Sequence, residues 1–108
     1  MLPNILFFHV DNLGMGELGC YGGGILRGAD SKRADQFAKE GAKLMHYVVE
    51  PQCTPTRSAL MTGRYPIRSG HHTIALGGNA GGLVQWEITV ADILAKAGYT
   101  SSCLGKWH

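Results

Sequence analysis

Six consecutive residues near the start of the chain, Ile5-Leu6-Phe7-Phe8-His9-Val10, are apolar apart from one histidine and do not alternate with polar residues. A half-exposed strand alternates, whereas an unbroken run of this length belongs to a strand covered on both faces, as in a parallel sheet. The run ends at Asp11-Asn12-Leu13-Gly14, so polar side chains gather where the strand finishes. Leu44 to Val49 and Thr100 to Leu104 read as two further strands, the last followed by Gly105-Lys106-Trp107-His108. Between them lie helices with recognisable ends. Asp30 or Ser31 caps one whose Ala34, Phe37 and Ala38 share a face and which Gly41 stops. A turn or two of helix is expected over Thr56 to Thr62, closed by Gly63, which leaves Cys53 just ahead of its N-terminus. Thr89 caps a third, striped by Val90, Ile93, Leu94 and Ala97 and ended by Gly98. The order predicts an α/β fold, a mostly parallel sheet flanked by helices, with ligands at the carboxyl edge of the strands.

Length and charge narrow the function classes. A chain of 108 residues is one small domain or part of a larger one, and at this size hides only about 65% of its unfolded surface. Ten Lys and Arg against eight Asp and Glu give a net charge of +2 without a basic stripe, so nucleic acid is not an expected partner. The three cysteines, Cys20, Cys53 and Cys103, are odd in number and widely spaced, which supports neither a disulfide framework nor a zinc knuckle. The first apolar run is too short for a membrane span and lacks the basic lead-in and cleavage site of a signal peptide. The reading is of a soluble chain with no export address, its compartment left open.

Four constellations carry candidate chemistry. Gly14-Met15-Gly16-Glu17-Leu18-Gly19 matches the glycine pattern of a dinucleotide site, but the glycine-rich sequence continues as loop instead of opening a helix, and Asp11 and Glu17 would repel pyrophosphate. Asp11 and Asn12 offer two adjacent oxygens to a hard cation, Ca²⁺ or Mg²⁺, though calcium takes six to eight; the alternative is a capped turn. Cys53-Thr54-Pro55-Thr56-Arg57-Ser58 sets a sulfur beside a helix N-terminus with an arginine four residues on, a combination that favours a tetrahedral oxyanion. A thiolate phosphatase would need five residues between the two, and position 59 is Ala59. Lys106 and His108 share one side of an extended segment, joining a cation to a titratable imidazole. His71 and His72 are expected in solvated loop, within a long functional loop from Arg64 to Val84; His9 and His46 are expected as hydrogen-bonded residues of strands.

These segments, in this order, resemble the N-terminal part of a sulfatase of the arylsulfatase type, within the alkaline-phosphatase-like superfamily. Pro3-Asn4-Ile5-Leu6 leading to Asp11-Asn12-Leu13-Gly14, the stretch from Cys53 to Arg64, Gly98-Tyr99-Thr100 and Gly105-Lys106-Trp107-His108 are similar to the family's signatures. The resemblance implies that a separate formylglycine-generating maturation enzyme oxidises Cys53 to formylglycine (3-oxoalanine). The hydrate of that aldehyde attacks the sulfate ester, the alcohol leaves, and the second hydroxyl expels sulfate. It implies Ca²⁺, with Mg²⁺ as the other candidate, held by Asp11, Asn12 and the modified Cys53. It implies catalytic roles for Cys53, Arg57, Lys106 and His108, with Lys106 and His108 also binding the sulfate ester. Positive charge converging on a sulfuryl group is electrostatic catalysis.

The chain departs from the family pattern at Asn12, where many relatives carry a second aspartate, and at Ser31-Lys32-Arg33-Ala34-Asp35, where the usual Thr-Pro-x-Ile-Asp loses its proline. Family members are several times longer and take further metal ligands from sequence beyond position 108. Residues 1–108 are therefore read as a truncated N-terminal part of a sulfatase catalytic domain, with an incomplete sheet, the remainder of the chain as an implied partner and negligible activity alone. Relatives are often periplasmic, secreted or lysosomal. Two other functions stay open: a phosphodiesterase or phosphonate hydrolase of the same superfamily, and a catalytically silent remnant or binding domain.

Overall fold

A computed structural model describes residues 2–28, 30–74, 76 and 82–108. The chain divides into two compact units, Met1–Tyr47 and Val48–His108.

In the first unit the run from Ile5 to Val10 is extended and leads to a turn at Asp11 and Asn12. Asn12 takes a left-handed backbone with φ of 58°, a conformation that asparagine tolerates better than most residues because its short amide bonds locally. Three short 3₁₀ turns follow, Met15–Glu17, Gly19–Tyr21 and Gly24–Arg27, and then helix α1, Lys32–Glu40. The turns are stitched to α1 by side chains. Ser31 Oγ accepts from Gly19 N at 2.8 Å, and Asp35 Oδ1 accepts from Cys20 N at 2.7 Å. Lys43 Nζ closes the far side on Cys20 O at 2.7 Å. No α-helix opens at the glycines, and the N–H groups of Gly19 and Cys20 are committed to Ser31 and Asp35. Ser31, Asp35 and Ala38 are the more covered positions of this helix while Phe37 stays exposed, so the inward face is partly polar and differs from the expected Ala34, Phe37 and Ala38.

The second unit is built on α2, Cys53–Thr62, with the single turn α3, Pro66–Ser69, and α4, Val90–Lys96, against it. Cys53 is the first residue of α2 and not the residue ahead of it. Gly63 ends α2 at φ 67°, donating its N–H to Ala59 O at 2.8 Å, as the glycine stop predicts. Thr89 caps α4 as expected.

The expected sheet is corrected by the structure: among the described residues there is no strand. The segments 5–10, 44–49 and 100–104 are without regular structure, and their apolar side chains face solvent, Phe8 at 80% exposure and Leu104 at 92%. A strand exists only by virtue of the ladder it shares, and an apolar run covered on neither face has none of the packing that favours it. No large apolar side chain is buried among the described residues; the buried positions are small or polar, Thr54, Ser58 and His71 among them. No helix of the described residues is long and apolar enough to cross a membrane.

Candidate functional site

The second unit joins three of the sequence-predicted site residues, Cys53, Arg57 and Lys106, at the N-terminal end of α2. Cys53, half-buried, opens the helix, and Pro55 occupies its third position, where a missing N–H costs nothing because first-turn donors have no partner within the helix. The helix is capped by Gln52 through its extended backbone only; no side chain of the cap closes it. Lys106 Nζ donates to Cys53 Sγ at 3.1 Å across 53 residues of sequence. Arg57, one turn further along α2, donates from Nε to Lys106 O at 3.3 Å and from Nη1 to Cys53 O at 3.5 Å. The guanidinium thus ties the C-terminal segment to the helix and holds the lysine head against the sulfur. Two cations and the positive end of a helix dipole converge on Cys53, a field that attracts an anion and stabilises charge developing on oxygen.

His108 shares with Arg57, but not with Cys53 or Lys106, a cavity of about 50 Å³ along the flank of α2, lined by Thr54, Arg57, Ser58 and Met61 from the helix and by Trp107, His108, His71, Gly82 and Leu83. His71 is buried, with Nε2 2.7 Å from Gly82 O and Nδ1 3.0 Å from Ser69 Oγ. A carbonyl only accepts, so Nε2 carries the hydrogen in that bond. This overturns the expectation of a solvated His71; His72 is exposed as expected. His9 and His46 are exposed and outside any strand, His9 stacking on Phe7 with ring centroids 6.2 Å apart. The loop from Arg64 to Val84 contains α3, and its residues 75 and 77–81 lie outside the described residues. The sequence reading gives Thr54 and Ser58 no role of their own within the Cys53–Ser58 segment and sets His71 in solvated loop. The four-residue spacing of Thr54 and Ser58, one helical turn, was the signal that could have found the first two.

Asp11 and Asn12 stand at the exposed turn of the first unit. Their oxygens suit a hard cation in kind. They fall short in number: among the described residues no group of three or more His, Cys, Asp or Glu could hold a metal ion. The pair fits as part of a Ca²⁺ donor set and not as the whole of one.

A family model described as Sulfatase matches residues 3–108. The chain belongs to the sulfatase family. Steryl-sulfatase of Rattus norvegicus is 44% identical over 98% of this chain, which covers 19% of the relative. Arylsulfatase D and arylsulfatase A of Homo sapiens are each 42% identical over 98% of this chain, covering 18% and 21% of those proteins. This sulfatase chain therefore spans about a fifth of the length of the curated relatives it matches. No solved structure matches it. Membership implies the alkaline-phosphatase-like fold, although the described residues show only helical and extended segments. In this sulfatase chain the segment Cys53-Thr54-Pro55-Thr56-Arg57 is the first turn and a half of α2, and the side chains of Cys53 and Arg57 each contact Lys106.

Proposed function

We propose that this chain supplies the nucleophile and the sulfate-binding cations of a sulfuric ester hydrolase of the arylsulfatase type. The observation that carries the reading is the contact of Lys106 Nζ with Cys53 Sγ at the head of α2, inside the Cys-Thr-Pro-Thr-Arg segment. The sulfur marks the position that maturation would convert; formylglycine there supplies, as its hydrate, the oxygen nucleophile that a sulfate ester needs. Lys106 stands where it can hold that group and a sulfuryl oxygen together. Arg57 orients both by anchoring the backbone on either side, to Lys106 O and Cys53 O. His108, which lines a cavity with Arg57, is the residue that hydrogen-bonds the attacking hydroxyl and exchanges its proton. Ca²⁺, for which Asp11 and Asn12 are part of the donor set, would neutralise sulfate oxygens. The mostly parallel sheet belongs to the same proposal, with 5–10, 44–49 and 100–104 as the segments that pair. On its own the 108-residue chain is expected to turn over no aryl sulfate, because two oxygens cannot complete a calcium site.

The test is co-expression with the formylglycine-generating enzyme followed by intact mass and assay. Conversion at Cys53 makes the protein lighter by about 18 Da, sulfur and two hydrogens lost and oxygen gained, whereas thiol oxidation makes it heavier. Aryl sulfate turnover well above phosphodiester turnover, in a complete sulfatase domain carrying this matured segment, supports the reading, and turnover by the 108-residue chain alone would overturn its expected inactivity. An unconverted Cys53 would favour a silent domain, and a preference for phosphodiester would move the chain to that branch of the superfamily.

A further inference from the structure

Before any maturation, Cys53 is a thiol held against an amine. Lys106 Nζ lies 3.1 Å from Cys53 Sγ, and solvent reaches the pair, since Cys53 is half-buried and Lys106 exposed. The contact is fastened from the backbone as well. Arg57 Nε donates to Lys106 O at 3.3 Å and Nη1 to Cys53 O at 3.5 Å, so one guanidinium holds the two stretches of chain that carry the amine and the sulfur. A thiol open to a small oxidant becomes a sulfenic acid, whose sulfur is electrophilic and condenses with a thiol or with a neighbouring nitrogen. Here the neighbouring nitrogen is already in place.

We propose that the unconverted Cys53 and Lys106 form a reversible redox cross-link, a sulfenamide between Sγ and Nζ, when the chain meets hydrogen peroxide. Two steps account for every atom. Peroxide passes one oxygen to the thiol, leaving a sulfenic acid and water; the sulfur loses two electrons and the peroxide gains them. Lys106 Nζ then attacks that sulfur. The N–S bond forms and the S–O bond breaks; of the three ammonium protons one leaves with the hydroxide as water, one passes to solvent and one stays on nitrogen. Two equivalents of a small thiol reverse the link, restoring the amine and the Cys53 thiol and ending as the small thiol's own disulfide. Proximity decides the second step, because a nucleophile held in contact outcompetes dissolved oxidant for the sulfenic acid. The product ties α2 to the C-terminal segment. It withholds Cys53 from conversion and shields it from irreversible sulfinic and sulfonic acids. It concerns the unmatured chain, and so holds whatever ester the matured one hydrolyses.

The chain is expressed without the maturation enzyme as a Cys20→Ser/Cys103→Ser variant, so that no disulfide can form within it, and is treated with hydrogen peroxide. Intact mass should show a monomer about 2 Da lighter than the reduced protein, and trypsin should release a species joining residues 44–57 to residues 97–108. Dithiothreitol should abolish both. Lys106→Met in the same background should instead gain about 16 Da and take up about tenfold more dimedone, a reagent for sulfenic acid. Cys53→Ser should show neither change. Fragmentation of the cross-linked peptide from the parent, with all three cysteines, should place the bond on Lys106 and leave Cys103 unmodified, a readout that does not depend on how the serine variant folds. Gains of about 16, 32 and 48 Da in place of the loss overturn the proposal. So does a 2-Da loss that survives Lys106→Met, which would put a backbone nitrogen on the sulfur, and so does a gain of about 14 Da, which would keep oxygen between nitrogen and sulfur.

Discussion

Two helices of the second unit begin in opposite ways. At α4, Thr89 Oγ1 accepts from Asp92 N at 3.3 Å while Asp92 Oδ2 accepts from Thr89 N at 2.8 Å, a reciprocal box in which the helix answers its own first-turn donors with its own carboxylate. At α2, Gln52 provides no side-chain cap, no acidic residue stands in the first turn, and a lysine from the far end of the chain reaches in to the sulfur of Cys53. The same element is closed by its own anion in one case and surrounded by cations in the other. A helix start can turn its positive end to stability or to binding; α4 does the first, and the proposed function gives α2 the second.

The largest effect that would break this comparison comes from Cys53. Under the proposed maturation, Cys53→Ala removes the sulfur to be converted; in the co-expressed protein the mass change should vanish, and in a complete sulfatase domain carrying this segment aryl sulfate turnover should fall on the order of a thousandfold or more. Retained turnover would show that α2 is merely another structural helix. Lys106→Met keeps the apolar stem and removes the cation, and should lower kcat on the order of a hundredfold while Cys53 is still converted. A change confined to KM would make Lys106 a binding residue and nothing more. Gln52→Asp is the sharper instrument, because it gives α2 what α4 already has. The new carboxylate should stabilise the helix by about 1 kcal/mol in chemical denaturation and, standing beside the sulfate position, raise KM for aryl sulfate about tenfold. Stability and affinity moving together would contradict the division of roles between the two helices.

How much of this was legible in the sequence depends on the range of the interaction. The glycine stops at Gly63 and Gly98, the Thr89 cap and the start of α1 after Ser31 were all readable, because each is decided within four or five residues. The approach of Lys106 to Cys53 was legible only through the family signature; nothing local to either residue encodes a contact spanning half the chain. The strands were misjudged because an apolar run states what a segment needs to be covered by and not whether the cover is beside it. Ser31 and Asp35 show the opposite failure. In a segment that departs from the family's Thr-Pro-x-Ile-Asp at the proline and the isoleucine, these two positions keep a hydroxyl and the carboxylate and hold the glycine-rich turns through Gly19 N and Cys20 N, a polar contact that outweighs the apolar face expected of α1. His71 was misassigned for a related reason, since a histidine in an aperiodic segment carries no sequence mark of the carbonyl of Gly82 that it meets.

The smallest predicted effect concerns the closed helix start. Asp92 is held below the ordinary aspartate value of 3.8, first by the Thr89 hydroxyl that donates to it, then by the Thr89 backbone N–H, with Lys96 adding a lesser attraction. A carboxylate depressed in the folded state contributes stability that is fully present above its unfolded value and is lost as pH falls through the folded one. The box therefore persists through neutral and mildly acidic solution and opens only below the ordinary aspartate range. A carbon-13 NMR titration of the Asp92 side chain should give a midpoint below 3.8 in the parent and one nearer to it in Thr89→Ala, where the first and largest cause is gone. Over the same acid range the helical circular dichroism of the parent should fall, while Asp92→Asn, with nothing to titrate at that position, should lack this component. α2 has no acidic residue in its first turn, so its start contributes no such acid transition. An acid-sensitive α2 amide in hydrogen exchange, with α4 unchanged, would reverse the assignment of which helix caps itself.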